Sequence, residues 1–117
     1  MDIIFKSSKL RKELSESRQT ERRHGERRAK LLRSRLDSMA AADNLDHLRS
    51  LPQTNAHELT QNRAGQLAVD LDQPFRLIFE PANDPVPRKA DGGLDWTQVT
   101  AVRILDVIDY HDKKNKK

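Results

Sequence analysis

Apolar residues in the first half of the chain recur at the spacing of a helix. Leu10 and Leu14, four residues apart, predict a short first helix. A narrow apolar stripe predicts a longer second helix over 20–42, with Thr20 as its cap and with Gly25 favouring a later start or a bend. The stripe consists of Ala29, Leu32, Leu36, Met39 and Ala40.

The second half of the chain alternates with the period of a β-strand. Segments 66–71 and 75–80 alternate in hydrophobicity, so each predicts a strand with one buried face. Further strands are predicted over 57–60 and over 99–111, where Val and Ile are frequent, and a short strand over 2–5 precedes the helices. Because the helices come first and an antiparallel meander follows, the pattern predicts an α+β domain.

Length and composition limit the chain to one modest core. The 117 residues are 35% hydrophobic and 34% charged, so we expect a single domain over 1–112, including a short third helix over 44–49. The basic segment 113–117 is predicted to be a disordered tail. No apolar run approaches the roughly 18 residues of a membrane span and no signal sequence is visible, so we expect a cytoplasmic protein without a membrane partner.

Charge is distributed unevenly along the chain. Residues 1–36 carry 12 Lys or Arg against 5 Asp or Glu, whereas the remaining residues carry 10 against 13. This asymmetry indicates a polyanion partner, with a merely solvated helix surface as an equally weighted alternative. The positive surface is predicted to comprise Arg18, Arg22, Arg23, Arg27, Arg28, Lys30, Arg33 and Arg35, of which Arg22, Arg23, Arg27, Arg28 and Lys30 are the candidate RNA-binding residues.

Arg76 is the most suggestive single residue for chemistry. It stands in the middle of a predicted strand, on the face opposite Phe75, Leu77 and Phe79. A guanidinium never loses its charge and can donate two parallel hydrogen bonds to a phosphate. An ion pair with a carboxylate on the neighbouring strand, such as that of Asp70, is nearly as well supported by the pattern.

Asp109, Tyr110 and His111 end the last predicted strand. The strand period places Asp109 and His111 on one face and Tyr110 on the other, unless a bulge intervenes. An imidazole can pass a proton in either direction near neutral pH, and a nearby carboxylate would orient it. Taken alone, this ending favours a strand that frays into solvent.

Metal and cofactor chemistry is not indicated by the sequence. The chain has no cysteine, and its four histidines do not have the spacing of a metal site, so we expect no metal and no cofactor. His57 could face the same hairpin as Arg63. Trp96 is expected in the core or at a cap rather than as a platform for base stacking.

Three segments together resemble the RelE/ParE superfamily of bacterial toxins and, within it, the HigB-type plasmid-maintenance killer proteins. They are the run 57–71, the strand 74–79 and the ending 107–111. The resemblance covers the chain from about residue 51 onward. In the helical half it is one of order and length.

The resemblance implies a RelE-like fold, with two N-terminal helices and a short third packed on a curved antiparallel sheet of about four to five strands. It also implies the toxin of a type II toxin-antitoxin system, which cleaves mRNA in the ribosomal A site without a metal. The substrate's 2′-hydroxyl would attack the adjacent phosphate and leave a cyclic phosphate. The implied partners are the ribosome and mRNA, a cognate helix-turn-helix antitoxin of the HigA type, and operator DNA bound through the antitoxin complex.

The same resemblance implies roles for single residues. Arg76 would stabilise charge on the phosphoryl oxygens in the transition state. His111 and Asp109 would move or orient protons, and Tyr110 would position the RNA. The RNA-binding residues implied outside the helices are Arg63 and His57.

Two positions depart from the family's pattern. Thr60 stands where HigB proteins often have a lysine, and Asp70 where they often have a basic residue. Each lost charge-assisted contact would cost about 1.5–3 kcal/mol, or roughly one to two decades in rate. A degenerate relative that binds RNA through its basic helix and cuts nothing is therefore a second hypothesis. A third is a ParE-like gyrase poison, which the ending 109–111 disfavours.

Overall fold

The computed structural model describes residues 1–110, and in this part of the chain a helical layer packs on one side of a five-stranded sheet. The α+β class is therefore confirmed. In chain order the elements are β1 (Asp2–Phe5), α1 (Ser8–Ser15), α2 (Ser17–His24), α3 (Glu26–Ala41), α4 (Leu45–Arg49), β2 (His57–Glu58), β3 (Leu67–Asp70), β4 (Phe75–Pro81) and β5 (Ala101–Asp109). Short 3₁₀ turns span Gln61–Arg63 and Trp96–Gln98.

The helical layer has one more helix than the sequence predicts. Gly25 has a φ of 85°, a conformation that favours glycine, and it divides the long predicted helix into α2 and α3. Thr20 is not a cap, because it lies buried inside α2 and its hydroxyl donates to backbone carbonyls of Glu13 and Glu16. Three helices and a short fourth therefore replace the predicted two and a short third.

The sheet is mixed rather than wholly antiparallel. Its strand order is β1-β5-β4-β3-β2, and β2 to β5 form antiparallel neighbours as predicted. At the other edge β1 runs parallel to β5, with Asp2 opposite Ala101 and Phe5 opposite Ile104. The antiparallel prediction is wrong at this edge because hydrophobic alternation predicts strands but not which strands pair across the whole chain.

The two sides of the sheet are packed differently. We call the side that meets the helices the helix face; it carries the main core, to which Leu67, Val69, Leu77, Phe79, Val102 and Ile104 contribute from the strands and Leu32, Met39 and Leu45 from the helices. The opposite side is the outer face. Its smaller apolar cluster contains Leu59, Ala68 and Ile78, with Leu105, Ile108 and Tyr110 packed against it.

Arg35 was expected on the positive surface, and the structure contradicts this. Arg35 is only 8% exposed and belongs to the buried stripe of α3. Its Nε donates to the backbone carbonyl of Asp70 at 2.7 Å. Burial lowers the pKa of Arg35, and the charge of Asp70 opposes that shift. The long aliphatic stem fills the core while the head group reaches a polar partner. None of the helices in residues 1–110 has the length and hydrophobicity needed to cross a membrane.

Candidate functional site

Arg76 lies on the outer face, near the start of β4. Its strand neighbours are Asp70 on β3 and Ile108 on β5. The Arg76 Nε is 3.3 Å from Oδ1 of Asp70, and the guanidinium carbon lies 4.3 Å from the centre of the Tyr110 ring. The side chain remains 25% exposed, so the cation is held on two sides and open to solvent on another.

His57 approaches the same guanidinium from β2. Its Nε2 is 3.4 Å from Nη1 of Arg76, and its Nδ1 is 2.7 Å from the backbone carbonyl of Asn55. A carbonyl only accepts hydrogen bonds, so the Nδ1 of His57 carries the proton. A guanidinium only donates, so the same geometry assigns the acceptor role to the Nε2 of His57, beside the cation.

Asp70 is held by its neighbours on several sides. Its Oδ2 accepts a hydrogen bond from Nδ2 of Asn55 at 2.9 Å, and its backbone NH donates to the carbonyl of Thr54. The Oδ1 makes no hydrogen bond within the described residues, although it is the atom nearest to Arg76. The contact with Arg76 is therefore an ion pair of loose geometry rather than a two-pronged clamp.

We call these five residues, Arg76, His57, Asp70, Asn55 and Tyr110, the Arg76 centre. The structure brings together three residues that the sequence singles out for RNA chemistry, namely Arg76, His57 and Tyr110. It also shows the ion pair with Asp70 that the sequence left open as an alternative.

Asp109 does not join the Arg76 centre. It lies opposite Phe75 in the β4–β5 register, while Arg76 lies opposite Ile108. Phe75 packs against the main core, so the strand alternation puts Asp109 on the helix face and Arg76 on the outer face. His111 and the predicted tail 113–117 lie outside the described residues.

Arg63 lies in the 3₁₀ turn that follows β2. Its Nη1 donates to Oε1 of Gln66 at 2.9 Å, which holds the side chain against its own turn. The buried Nε of Arg63 makes no hydrogen bond within residues 1–110. Its implied contact with the RNA backbone stays a prediction.

The basic residues of the helices lie in the layer that packs on the helix face, across the sheet from Arg76. Arg22, Arg23, Arg27 and Lys30 are exposed. Arg23 lies 3.8 Å from a carboxylate oxygen of Glu13, which is a loose surface ion pair. Because the sheet separates them from Arg76, these four cations do not converge with it on a single phosphate.

Arg28 differs from its exposed neighbours because it is fixed inside the protein. Its Nε and Nη2 donate to the two carboxylate oxygens of Asp72 at 2.9 and 3.1 Å, and its guanidinium carbon lies 3.4 Å from the centre of the Phe75 ring. Burial raises the pKa of Asp72, but hydrogen bonds from Arg28 and from its own backbone, with the charges of Arg28 and Arg27, outweigh it, so the pKa is lowered overall. Arg28 thus fastens α3 to the turn between β3 and β4.

Asn55 is the member of the Arg76 centre that sequence reasoning missed. It has a φ of 47°, and it orients both His57 and Asp70 through its carbonyl and its side-chain amide. Asparagine is among the few residues that adopt this backbone region readily. That preference, two residues before the histidine that begins a predicted strand, was the available signal.

Trp96 is buried as predicted, and its indole Nε1 donates to Glu58 at 2.8 Å. In residues 1–110, no group of three or more His, Cys, Asp or Glu is arranged to hold a metal ion. No protein-family profile matches this chain, and no curated protein matches it.

Proposed function

We propose that this chain is the toxin of a type II toxin-antitoxin system, an endoribonuclease that cuts mRNA on the ribosome. The observation that carries the proposal is the imidazole of His57 with its Nε2 3.4 Å from the guanidinium of Arg76, on the sheet face that the helices leave uncovered. A cation and a proton acceptor side by side are what metal-independent cleavage of a phosphodiester requires.

This geometry supports the following course of cleavage. The Nε2 of His57 takes the proton of the substrate's 2′-hydroxyl as that oxygen attacks the adjacent phosphorus. Arg76 stabilises the negative charge that develops on the phosphoryl oxygens. The bond between phosphorus and the 5′-oxygen then breaks, which leaves a 2′,3′-cyclic phosphate. A proton donor converts the departing 5′-oxygen to a hydroxyl. We assign that proton donor to His111.

Tyr110 and Asp70 act on Arg76 in opposite directions. The Tyr110 ring lies against the guanidinium and offers a surface on which an RNA base or sugar can rest. The carboxylate of Asp70 holds the guanidinium in place, and it also competes with the substrate phosphate for the same charge. We therefore expect a slow enzyme, which needs the ribosome to present the RNA.

The exposed cations of α2 and α3 serve a separate contact in this proposal. Arg22, Arg27 and Lys30 lie in the helical layer on the other side of the sheet, so they engage a second stretch of polyanion while mRNA occupies the outer face. We assign that contact to ribosomal RNA. The remaining partners in the proposal are a cognate helix-turn-helix antitoxin and operator DNA bound through the toxin–antitoxin complex, and the site of action is the cytoplasm.

The test compares two arginines of the outer face that each lie opposite a carboxylate on the neighbouring strand. Arg76→Ala should reduce mRNA cleavage in a cell-free translation system about 10²–10³-fold, the usual loss for one transition-state donor. Arg103→Ala removes a guanidinium that donates to Glu80 at 2.7 Å elsewhere on the outer face, and it should cut normally. New 5′ ends within translated messages are mapped for each, and thermal unfolding checks that both fold. Equal cleavage by Arg76→Ala and the wild type would refute the assignment.

A second candidate is a relative that binds RNA and does not cut it, and the ion pair between Asp70 and Arg76 favours it. The wild-type protein would then retain RNA in a filter-binding assay yet produce no new 5′ ends with ribosomes. Growth arrest with altered plasmid supercoiling and intact messages would instead indicate a gyrase poison.

A further inference from the structure

β1 forms one edge of the sheet, and β5 is the one strand that pairs with it in residues 1–110. The NH groups of Asp2 and Lys6 donate to the carbonyls of Thr100 and Ile104, which fixes the phase of the ladder with β5. Backbone groups alternate in direction along a strand, so the NH and C=O groups of Ile3 and Phe5 point away from β5. Such an edge presents backbone groups to which another strand can pair.

The side chains of this edge form a pattern that is complementary to itself. Ile3 and Phe5 pack against the main core, so Asp2, Ile4 and Lys6 lie on the outer face. Ile4 is 45% exposed and is the one large hydrophobic residue with such exposure in residues 1–110. It stands midway between an acidic and a basic residue, both exposed.

A pocket adjoins the same edge on the helix face. Its volume is about 290 Å³, and its apolar lining includes Ile3, Phe5, Leu14 and Leu36. Arg33 and Asp37 of α3 supply polar groups to the lining. The edge of β1 therefore offers exposed apolar surface on the outer face and an apolar pocket on the helix face.

We propose that a second copy of this chain pairs with β1 through its own β1, antiparallel and about a two-fold axis. Ile4 then lies opposite Ile4 of the second copy. Asp2 lies opposite Lys6 of the second copy, and Lys6 opposite its Asp2, so both charged pairs are attractive. On the helix face Ile3 meets Phe5 of the second copy beside the pocket.

The hydrogen-bond phase fits this register. Ile4 directs its backbone groups toward β5, so the Ile4 pair is a non-hydrogen-bonded pair, in which opposed side chains come closest. Ile3 and Phe5 exchange hydrogen bonds with the second copy. The two sheets join into one continuous sheet, and a second copy is the occupant that the arrangement of acid, isoleucine and base specifies. This proposal does not depend on the assignment of RNA cleavage.

Charge reversal tests the pairing without touching the core. The full-length wild type should show concentration-dependent dimerisation by sedimentation velocity. Asp2→Lys and Lys6→Asp should each weaken the dimer about tenfold or more, because each turns two attractive cross-strand pairs into repulsive ones. The double variant Asp2→Lys/Lys6→Asp should restore it. An equimolar mixture of the two single variants should form a heterodimer, because both of its cross-strand pairs are attractive.

Lys9→Asp, which reverses another exposed lysine outside β1, is the matched control and should dimerise like the wild type. Circular dichroism confirms that each variant is folded. A wild type that stays monomeric at every concentration overturns the proposal. The charges of Asp2 and Lys6 would then serve to keep the edge strand from pairing with other strands. A dimer that responds to neither reversal, or that the double variant does not restore, overturns it as well.

Discussion

Arg28 on the helix face and Arg76 on the outer face each belong to a cluster of the same composition: an arginine, an aspartate and an aromatic residue. Each pairs with an aspartate and lies over an aromatic ring: Arg28 with Asp72 and Phe75, and Arg76 with Asp70 and Tyr110. Arg28 donates two hydrogen bonds to its carboxylate, whereas Arg76 has one loose contact and turns Nη1 toward His57.

The difference separates a structural cation from one that is available to a ligand. We call Arg28, Asp72 and Phe75 the Arg28 clamp. In it both carboxylate oxygens of Asp72 accept hydrogen bonds from Arg28 and the ring of Phe75 covers the guanidinium, so the charge of Arg28 is already satisfied. At the Arg76 centre the geometry is incomplete, and a phosphate can supply the missing acceptors. Composition alone does not distinguish the two arginines; the geometry of the carboxylate does.

Loss of the Arg28 clamp should give the largest effect on stability. Arg28→Met should lower the free energy of unfolding by about 1.5–3 kcal/mol, because hydrogen bonds to a charged partner are lost. Arg27→Met, which removes the exposed neighbour, should change it by less than about 0.5 kcal/mol. Urea denaturation measures both. If the two variants are equally stable, Arg28 is not a clamp and its contrast with Arg76 disappears.

The Arg28 clamp should also make the free energy of unfolding depend on pH, with a smaller effect than that of Arg28→Met. The pKa of Asp72 is lowered in the folded protein, so its stabilising contribution is present above the unfolded pKa, near 4, and is lost as the pH falls through the lower folded value. We expect Asp72→Asn to flatten the acid limb of a stability–pH curve. Asp84→Asn, at an exposed loop position, serves as the control. An unchanged acid limb in Asp72→Asn would contradict the assignment.

The ring at the Arg76 centre should give the smallest effect. Tyr110→Leu removes a cation–π contact worth about 0.5–1 kcal/mol, so cleavage should fall roughly two- to fivefold. Tyr110→Phe keeps the ring and should retain most of the activity. Single-turnover cleavage on programmed ribosomes measures both variants. Equal losses in Phe and Leu would point to the phenolic hydroxyl instead of the ring.

The sequence predicts the elements that local periodicity controls. Alternation identifies β3 and β4 and assigns Arg76 to the face opposite Leu77. The first helix also forms where the spacing of Leu10 and Leu14 predicts it, and the hydroxyl of Ser7 caps its start by accepting the NH of Leu10. In each case the signal lies within a few residues of the feature that it predicts.

The features that the sequence missed depend on contacts between distant residues. Arg35 looks like its exposed neighbours until Asp70, 35 residues later, supplies a carbonyl to its guanidinium. The parallel pairing of β1 with β5 has no local pattern at all. Asp109 shares a motif with Tyr110, yet the β4–β5 register sends the two toward opposite faces of the sheet.

The parallel pairing of β1 with β5 has a consequence for synthesis. Its partners stand about 100 residues apart, so the edge of the sheet cannot form until almost the whole described chain has left the ribosome. The Arg76 centre shares this delay, because Tyr110 immediately follows β5. A nascent chain therefore lacks its assembled Arg76 centre until residue 110 has been synthesised and has left the ribosome.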